Sequence, residues 1–335
     1  MKHLVRKSKS LLIAFKIYQN WRMKRRFASG EIETEHGSTH SKKNLDESLS
    51  YIDEQFADYL TYGQLTSAQL RGKKILELGF GDNVGVALRF LATGAARVVC
   101  VDKFYSRRDV AHERDIYTAL RAGLSDDEKQ RFDEAIDIAD GLTFNSGRLS
   151  CVNGLELEAA AARLSEQAES FDIIVSRAVI EEIYEPDKVF SAADRLLVPG
   201  GLMLHKIDLS DYGIFSDRGK HPLTFLTFSE SVYRLMATDS GIPNRKLSGY
   251  YQKQMAELGY DAKFFVTEVV GHGPIVPHQE PAQLNGAYSA RALPLINAIR
   301  PKLSREFREL PDEELMVAGV FLVARKPIAA RGPAA

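Results

Sequence analysis

Short apolar runs alternate with longer amphipathic stretches through most of this chain. The runs are Ile75–Leu78, Arg97–Asp102, Leu149–Asn153, Phe171–Ser176 and Leu202–Ile207. They are rich in Val, Ile and Leu, as strands buried on both faces are. Between them, apolar residues recur at helical spacing over Val84–Ala92, Val110–Leu120, Leu155–Gln167 and Pro186–Leu197. Strand–helix alternation of this kind predicts an α/β fold around a mostly parallel sheet. Leu247–Leu258 reads as a further helix, and Tyr260–Val270 and Val317–Arg325 as two late strands, the last one antiparallel. Ahead of the first strand, Tyr51, Ile52, Phe56, Tyr59 and Leu60 are spaced as on one or two helices.

The first run ends in a turn with chemical content, Glu77-Leu-Gly79-Phe80-Gly81-Asp82-Asn83. Glycines there let a ligand approach the backbone, and the N–H groups at the following helix start face it. A dinucleotide fingerprint places its third glycine where this chain has Val84, which disfavours a pyrophosphate and hence a nicotinamide oxidoreductase. Glu77 suits a cationic group and is badly placed for a phosphate. Asp102 ends the second run, where an acid accepts the hydroxyls of a ribose. A ribose and a cationic amino acid end without phosphate describe S-adenosylmethionine. Asp82 and Asn83 sit where helix caps are favoured, and Asp82 either caps the helix or faces the ligand.

Taken in order, ELGFGDNVG, VVCVD, FDIIVSRAVIEEI and LLVPGGLMLHKID resemble the motifs of class I S-adenosylmethionine-dependent methyltransferases, over roughly residues 70–270. The resemblance implies a doubly wound, seven-stranded Rossmann-like sheet with its last strand antiparallel, carrying helical insertions. It implies that Glu77, Gly79, Phe80 and Gly81 line the methionine end of the cofactor. Asp102 and Lys103 would serve the ribose, Asn153 and Gly154 the adenine, and Ser176 the tip of the fourth strand. In the family the leading helical segment often covers the site, making Tyr59 and Tyr62 candidate lid residues. Glu182 replaces a histidine common in relatives, so a scheme using that histidine is in doubt. His205 and Asp208, at the end of the fifth strand, are the candidate general bases; their alternative is a hydrogen-bonded pair that positions a loop.

Composition adds boundaries. The chain has 335 residues and a net charge of −1, without a general nucleic-acid footprint. Residues 1–30 nevertheless hold nine Lys/Arg and no acid. Leu11–Trp21 is mostly apolar but too short to span a bilayer, so 1–30 reads as a tail or a helix on an anionic membrane surface. Residues 31–45 look like a polar linker in which His36 and His40 are solvated. The rest reads as one domain, 46–327, with insertions near 103–147, 209–245 and 271–314, then a disordered tail at 328–335. The charged insertion at 103–147 is either a substrate cap or an exposed helical pair. Arg107 and Arg108 are candidate anion contacts. Phe225, Phe228 and Tyr233 form either a substrate wall or the insertion's own core. Cys100 and Cys151 have no metal-site or disulfide pattern and read as core thiols in a reducing, cytoplasmic setting. The acceptor implied is a small molecule, glycan or glycolipid methylated at oxygen or nitrogen. A non-catalytic binding module is the alternative, and nothing in the sequence sets an oligomeric state.

Overall fold

A computed structural model describes residues 9–34, 39–139, 141–166, 170–216 and 221–328. His36, Gln167 and the tail beyond Ile328 lie outside the described residues. Eight strands form the main sheet: β1 Lys74–Leu78, β2 Arg97–Asp102, β3 Leu149–Asn153, β4 Phe171–Arg177, β5 Leu197–Asp208, β6 Asp261–Val269, β7 Gly273–Gln279 and β8 Val317–Arg325. Their order is β7-β6-β8-β5-β4-β1-β2-β3. β1 to β5 pair in parallel, and β8 runs antiparallel between β5 and β6. The doubly wound architecture holds, with one strand more than the seven expected. β7 comes from the 271–314 insertion and pairs antiparallel with β6 at the sheet edge.

The central strands bury both faces. Leu76, Leu78, Val99, Val101 and Ile174 feed one apolar cluster, and Ile75, Val98, Cys100, Ile173 and Val175 feed the other. Alternation along β1 therefore puts Glu77 on the face of Ile75, in an otherwise apolar layer. The principal helices are α1 Lys9–Ala28, α2 Leu45–Gly63, α3 Gly85–Thr93, α4 Val110–Ala122, α5 Asp126–Asp133, α6 Leu157–Glu166, α7 Pro186–Leu196, α8 Glu230–Ala237, α9 Ser248–Leu258 and α10 Gly286–Ile299. α2 opens with a reciprocal capping box between Asn44 and Glu47 and buries Ile52, Phe56 and Tyr59. Tyr59 is enclosed between the Phe90 and Phe321 rings, and Tyr62 stacks on His278, so neither forms a lid.

The 103–147 insertion, the N-terminus and the linker differ from their sequence readings, while the 209–245 insertion follows one of its two readings. α4 is not an exposed helix: Ile116, Tyr117 and Leu120 are buried, and α5 buries Phe132. In the 209–245 segment, Phe215, Phe225, Phe228 and Tyr233 are buried and build that segment's own core. α1 packs on α8. Asn20 donates to Thr238 Oγ1 at 2.9 Å and accepts from the Asp239 N–H at 2.6 Å. The stretch read as a linker is also built in. Glu33–Thr34 pairs in parallel with Tyr105–Ser106, and Thr34 and His40 are buried.

Candidate active site

The tips of β1, β2 and β4 meet at one edge, where the Gly79–Asn83 turn leaves the sheet. Gly79 and Gly81 have φ of +68° and +63°, a region costly for side chains. A methyl group at 79 would also collide with Val179, in the turn after β4. The turn is fixed from three sides. Asn83 Oδ1 accepts the Gly85 N–H at 2.6 Å, at the start of α3. The buried Tyr117 hydroxyl accepts the Val84 N–H at 3.1 Å and donates to Glu113, which Arg108 also holds at 3.1 Å. The Asp82 carboxylate accepts three backbone N–H groups, from Thr39, His40 and Ser41, at 3.1, 3.2 and 3.0 Å. Asp82 is thus no helix cap. It anchors the N-terminal strap over the turn, and Arg108 is a structural ion pair rather than an anion contact.

Two cavities open at this edge. One, of about 290 Å³, is bounded by Glu77, the glycine turn, Tyr51 and Gln55 of α2, and Arg177–Val179. The other, of about 250 Å³, lies between Lys103, Leu155–Glu158 and Val179. Gly79, Asp102, Phe104, Val179 and Glu182 line both. Asp102 accepts the Gly81 N–H at 3.2 Å and the Phe104 N–H at 3.1 Å, so its carboxylate is held at the junction. Burial raises its pKa. Burial also pushes Glu77 up to about 7, opposed by a 3.6 Å contact from Cys100 Sγ. A buried carboxylate without a cation is costly, so Glu77 favours a ligand that brings one. A glycine turn that a methyl group would obstruct, a ribose-type acid and a cation-seeking acid together fit S-adenosylmethionine. Glu77 would face its amino end and Asp102 its ribose.

Of the residues expected at the cofactor, Glu77, Gly79, Phe80, Gly81, Asp102 and Lys103 line these cavities, and the others do not. Asn153 spends its amide on the Phe104 carbonyl at 2.7 Å, shaping the loop after β2. Gly154 makes a left-handed turn facing Ile32. Ser176 is buried, its hydroxyl 2.7 Å from His205 Nδ1. His205 itself is enclosed beside the Phe190 ring, and burial pushes its pKa down to about 3. It lines none of the cavities described here, which rules it out as a solvent-reachable base. Asp208 accepts the Ser210 N–H at 2.7 Å and positions that loop, while its own N–H donates to Glu181. His205 and Asp208 thus bond to different partners, Ser176 and the Ser210 backbone, and not to each other among the described residues.

Four features were missed in the sequence. The strap at Thr39–Ser41 brings His40, buried against the Tyr51 ring, into the cavity wall; burial lowers its pKa to about 4. Tyr51 and Gln55 had only helical spacing as a signal. Tyr212, in the loop after β5, donates to Glu181 at 2.6 Å. Glu182 projects into the cavity space and is exposed to it while protein surrounds it; burial pushes its pKa up to about 8. Its signal was the departure from the family histidine.

The family-model comparison agrees with this reading. Residues 48–263 match the family model for the methyltransferase domain. No curated protein matches the chain. Solved structures resembling it include a Haemonchus contortus phosphoethanolamine N-methyltransferase 2, at 15% identity and a TM-score of 0.39, covering 82% of this chain and 53% of that one. A Bacillus cereus O-methyltransferase is 14% identical, with a TM-score of 0.36 and coverages of 92% and 91%. A cyclopropane-fatty-acyl-phospholipid synthase-like protein from Lactobacillus casei is 13% identical, with a TM-score of 0.39 and coverages of 82% and 91%. The chain therefore spans about half the length of the first of these. With a family match over most of its length and the strand order just described, the chain belongs to the methyltransferase-domain family, in its class I S-adenosylmethionine-dependent form.

Proposed function

We propose that the protein methylates a small acceptor bearing an anionic group, at oxygen or nitrogen, with free metabolites, glycans and glycolipids as the candidate classes. The carrying observation is a third cavity, of about 630 Å³, that meets the methionine-side cavity at Glu182 and Tyr212. Its wall includes Lys16, Arg22 and Arg26 of α1, and Arg107. Arg26 is paired with Glu31 at 2.7 Å, whereas Arg22 and Arg107 have no ion-pair partner among the described residues. Such guanidinium groups suit a phosphate or carboxylate on the acceptor. The bound cofactor supplies an electrophilic methyl group on a sulfonium. The protein's part is to align the acceptor at roughly 3–3.5 Å and exclude water.

The partner surface belongs to the same reading. α1 turns Leu11, Tyr18 and Trp21 outward, each more than half exposed, among the basic residues of the N-terminus. An anionic membrane surface suits that face. No helix among the described residues is long and apolar enough to cross a membrane. Calorimetry with S-adenosylmethionine, S-adenosylhomocysteine and NAD tests the donor. The first two are expected to bind and NAD to fail. Methyl release from a pool of phosphorylated or carboxylated acceptors, with and without Arg107→Ala, tests the acceptor class. Equal turnover of neutral acceptors would overturn it. Sedimentation with phosphatidylserine vesicles, lost in Trp21→Ala, tests the membrane contact.

A further inference from the structure

Three cavities meet at one side chain. Glu182 lines the methionine-side, adenosine-side and outer cavities alike. Its neighbour Glu181 is held through one oxygen: Oε1 accepts the Asp208 N–H at 3.0 Å and the Tyr212 hydroxyl at 2.6 Å. The Glu182 carboxylate has no hydrogen-bond or ion-pair partner among the described residues, and opens on empty space. Across from it, a side chain at Gly241 would come within 3.3 Å of Oε2, so the glycine keeps the carboxylate clear. Gly241 also has a φ of +68°, which suits glycine.

We infer that Glu182 is a catalytic residue that takes the acceptor's proton where the donor and acceptor cavities meet. The inference rests on the methyl-transfer reading above. The step balances. The acceptor's lone pair forms the bond to the methyl carbon, the carbon–sulfur pair stays on sulfur, and the acceptor's O–H or N–H proton passes to the carboxylate. Glu181 and Asp102 act on Glu182 electrostatically, and Lys103, Tyr212, Arg22, Arg26, Glu31, Glu33 and Arg107 line the cavities it shares. Burial first, then Glu181 and Asp102, push the carboxyl's pKa up to about 8. A sulfonium close by favours the carboxylate, so the base forms when the donor is in place.

Proton release on binding, measured by calorimetry in two buffers of different ionisation enthalpy at pH 7, tests this without turnover. In the wild type, S-adenosylmethionine is expected to release more protons than S-adenosylhomocysteine, which lacks the sulfonium charge. The excess should be about half a proton, as for one carboxyl moved down by a unit or so. In Glu182→Gln the excess disappears, S-adenosylhomocysteine affinity stays within about threefold, and turnover falls about 10²-fold or more. Glu182→Asp, which keeps an ionisable carboxyl, restores the excess and part of the rate. An undiminished excess in Glu182→Gln, or wild-type turnover by it, overturns the inference, as does failure of rescue by Glu182→Asp. Failure of the wild type to bind S-adenosylhomocysteine would instead remove the methyl-transfer reading beneath it.

Discussion

The tips of β1 and β2 and the tip of β5 carry similar chemistry and end in opposite conditions. At the first, Glu77 and Asp102 open on cavities that the glycine turn keeps empty. At the second, His205 is buried beside Ser176 and Phe190, and half-buried Asp208 is tied to the backbone of Ser210. Both places lie at strand ends on the side where α/β sheets bind ligands. The difference lies in the neighbours. Gly79 leaves room for a ligand, whereas His205 is buried beside Ser176 and Phe190. A titratable group at a strand end becomes a site only when the residues beside it give up that space.

The largest expected effect comes from filling the space at β1. Gly79→Ala meets Val179 and must hold a left-handed φ. It is expected to destabilise the fold by about 3 kcal/mol and to abolish S-adenosylhomocysteine binding, measured by urea unfolding and calorimetry. A stable variant with wild-type affinity would erase the contrast. Next, His205→Ala should cost about 2 kcal/mol of stability through a core cavity, yet leave cofactor affinity within about twofold. If affinity fell while stability held, β5's tip would belong to the site after all. Asp102→Asn should weaken cofactor binding by about 1–3 kcal/mol, as lost charge-assisted hydrogen bonds do, with little change in melting temperature.

The smallest effect is in pH dependence. Glu77 has its folded pKa raised to about 7 from 4.5, so its stabilising contribution is full below about 4.5 and is lost as pH rises to 7. His205 has its folded pKa lowered to about 3 from 6.5, so its contribution is present above 6.5 and is lost as pH falls toward 3. Glu77→Gln should therefore flatten the fall in stability between pH 4.5 and 7. The pH-dependent part of the His205→Ala effect should fall on the acid side of 6.5, on top of its constant cavity cost. Melting curves from pH 4 to 8 read both, and interchanged windows would contradict the burial assigned to each.

Much of the sheet was legible because β1 to β5 are apolar on both faces, a pattern few other elements share. Glu77 and Asp102 were legible because a charge that interrupts or ends such a run needs a reason. The extra strand β7 was not: Gly273–Gln279 carries two prolines and a polar end, which resembles a loop until β6 is there to pair with. The strap was missed because its contribution is made by backbone N–H groups, which every residue owns. The side chains of Thr39, His40 and Ser41 gave no hint of Asp82 as their common acceptor. His205 misled because position along a strand says where a residue ends up, not how closely its neighbours pack.

The Asp82 anchor has a practical side for anyone shortening this protein. Residue 46, where the sequence reading starts the domain, is an unsafe place to cut. A version beginning there would leave a carboxylate in the turn's interior stripped of all three of its donors, and the ligand-binding edge would lose its outer wall. A safe version keeps α1, which packs on α8 through Asn20, as well as the short pairing with Tyr105–Ser106 that guides the strap home.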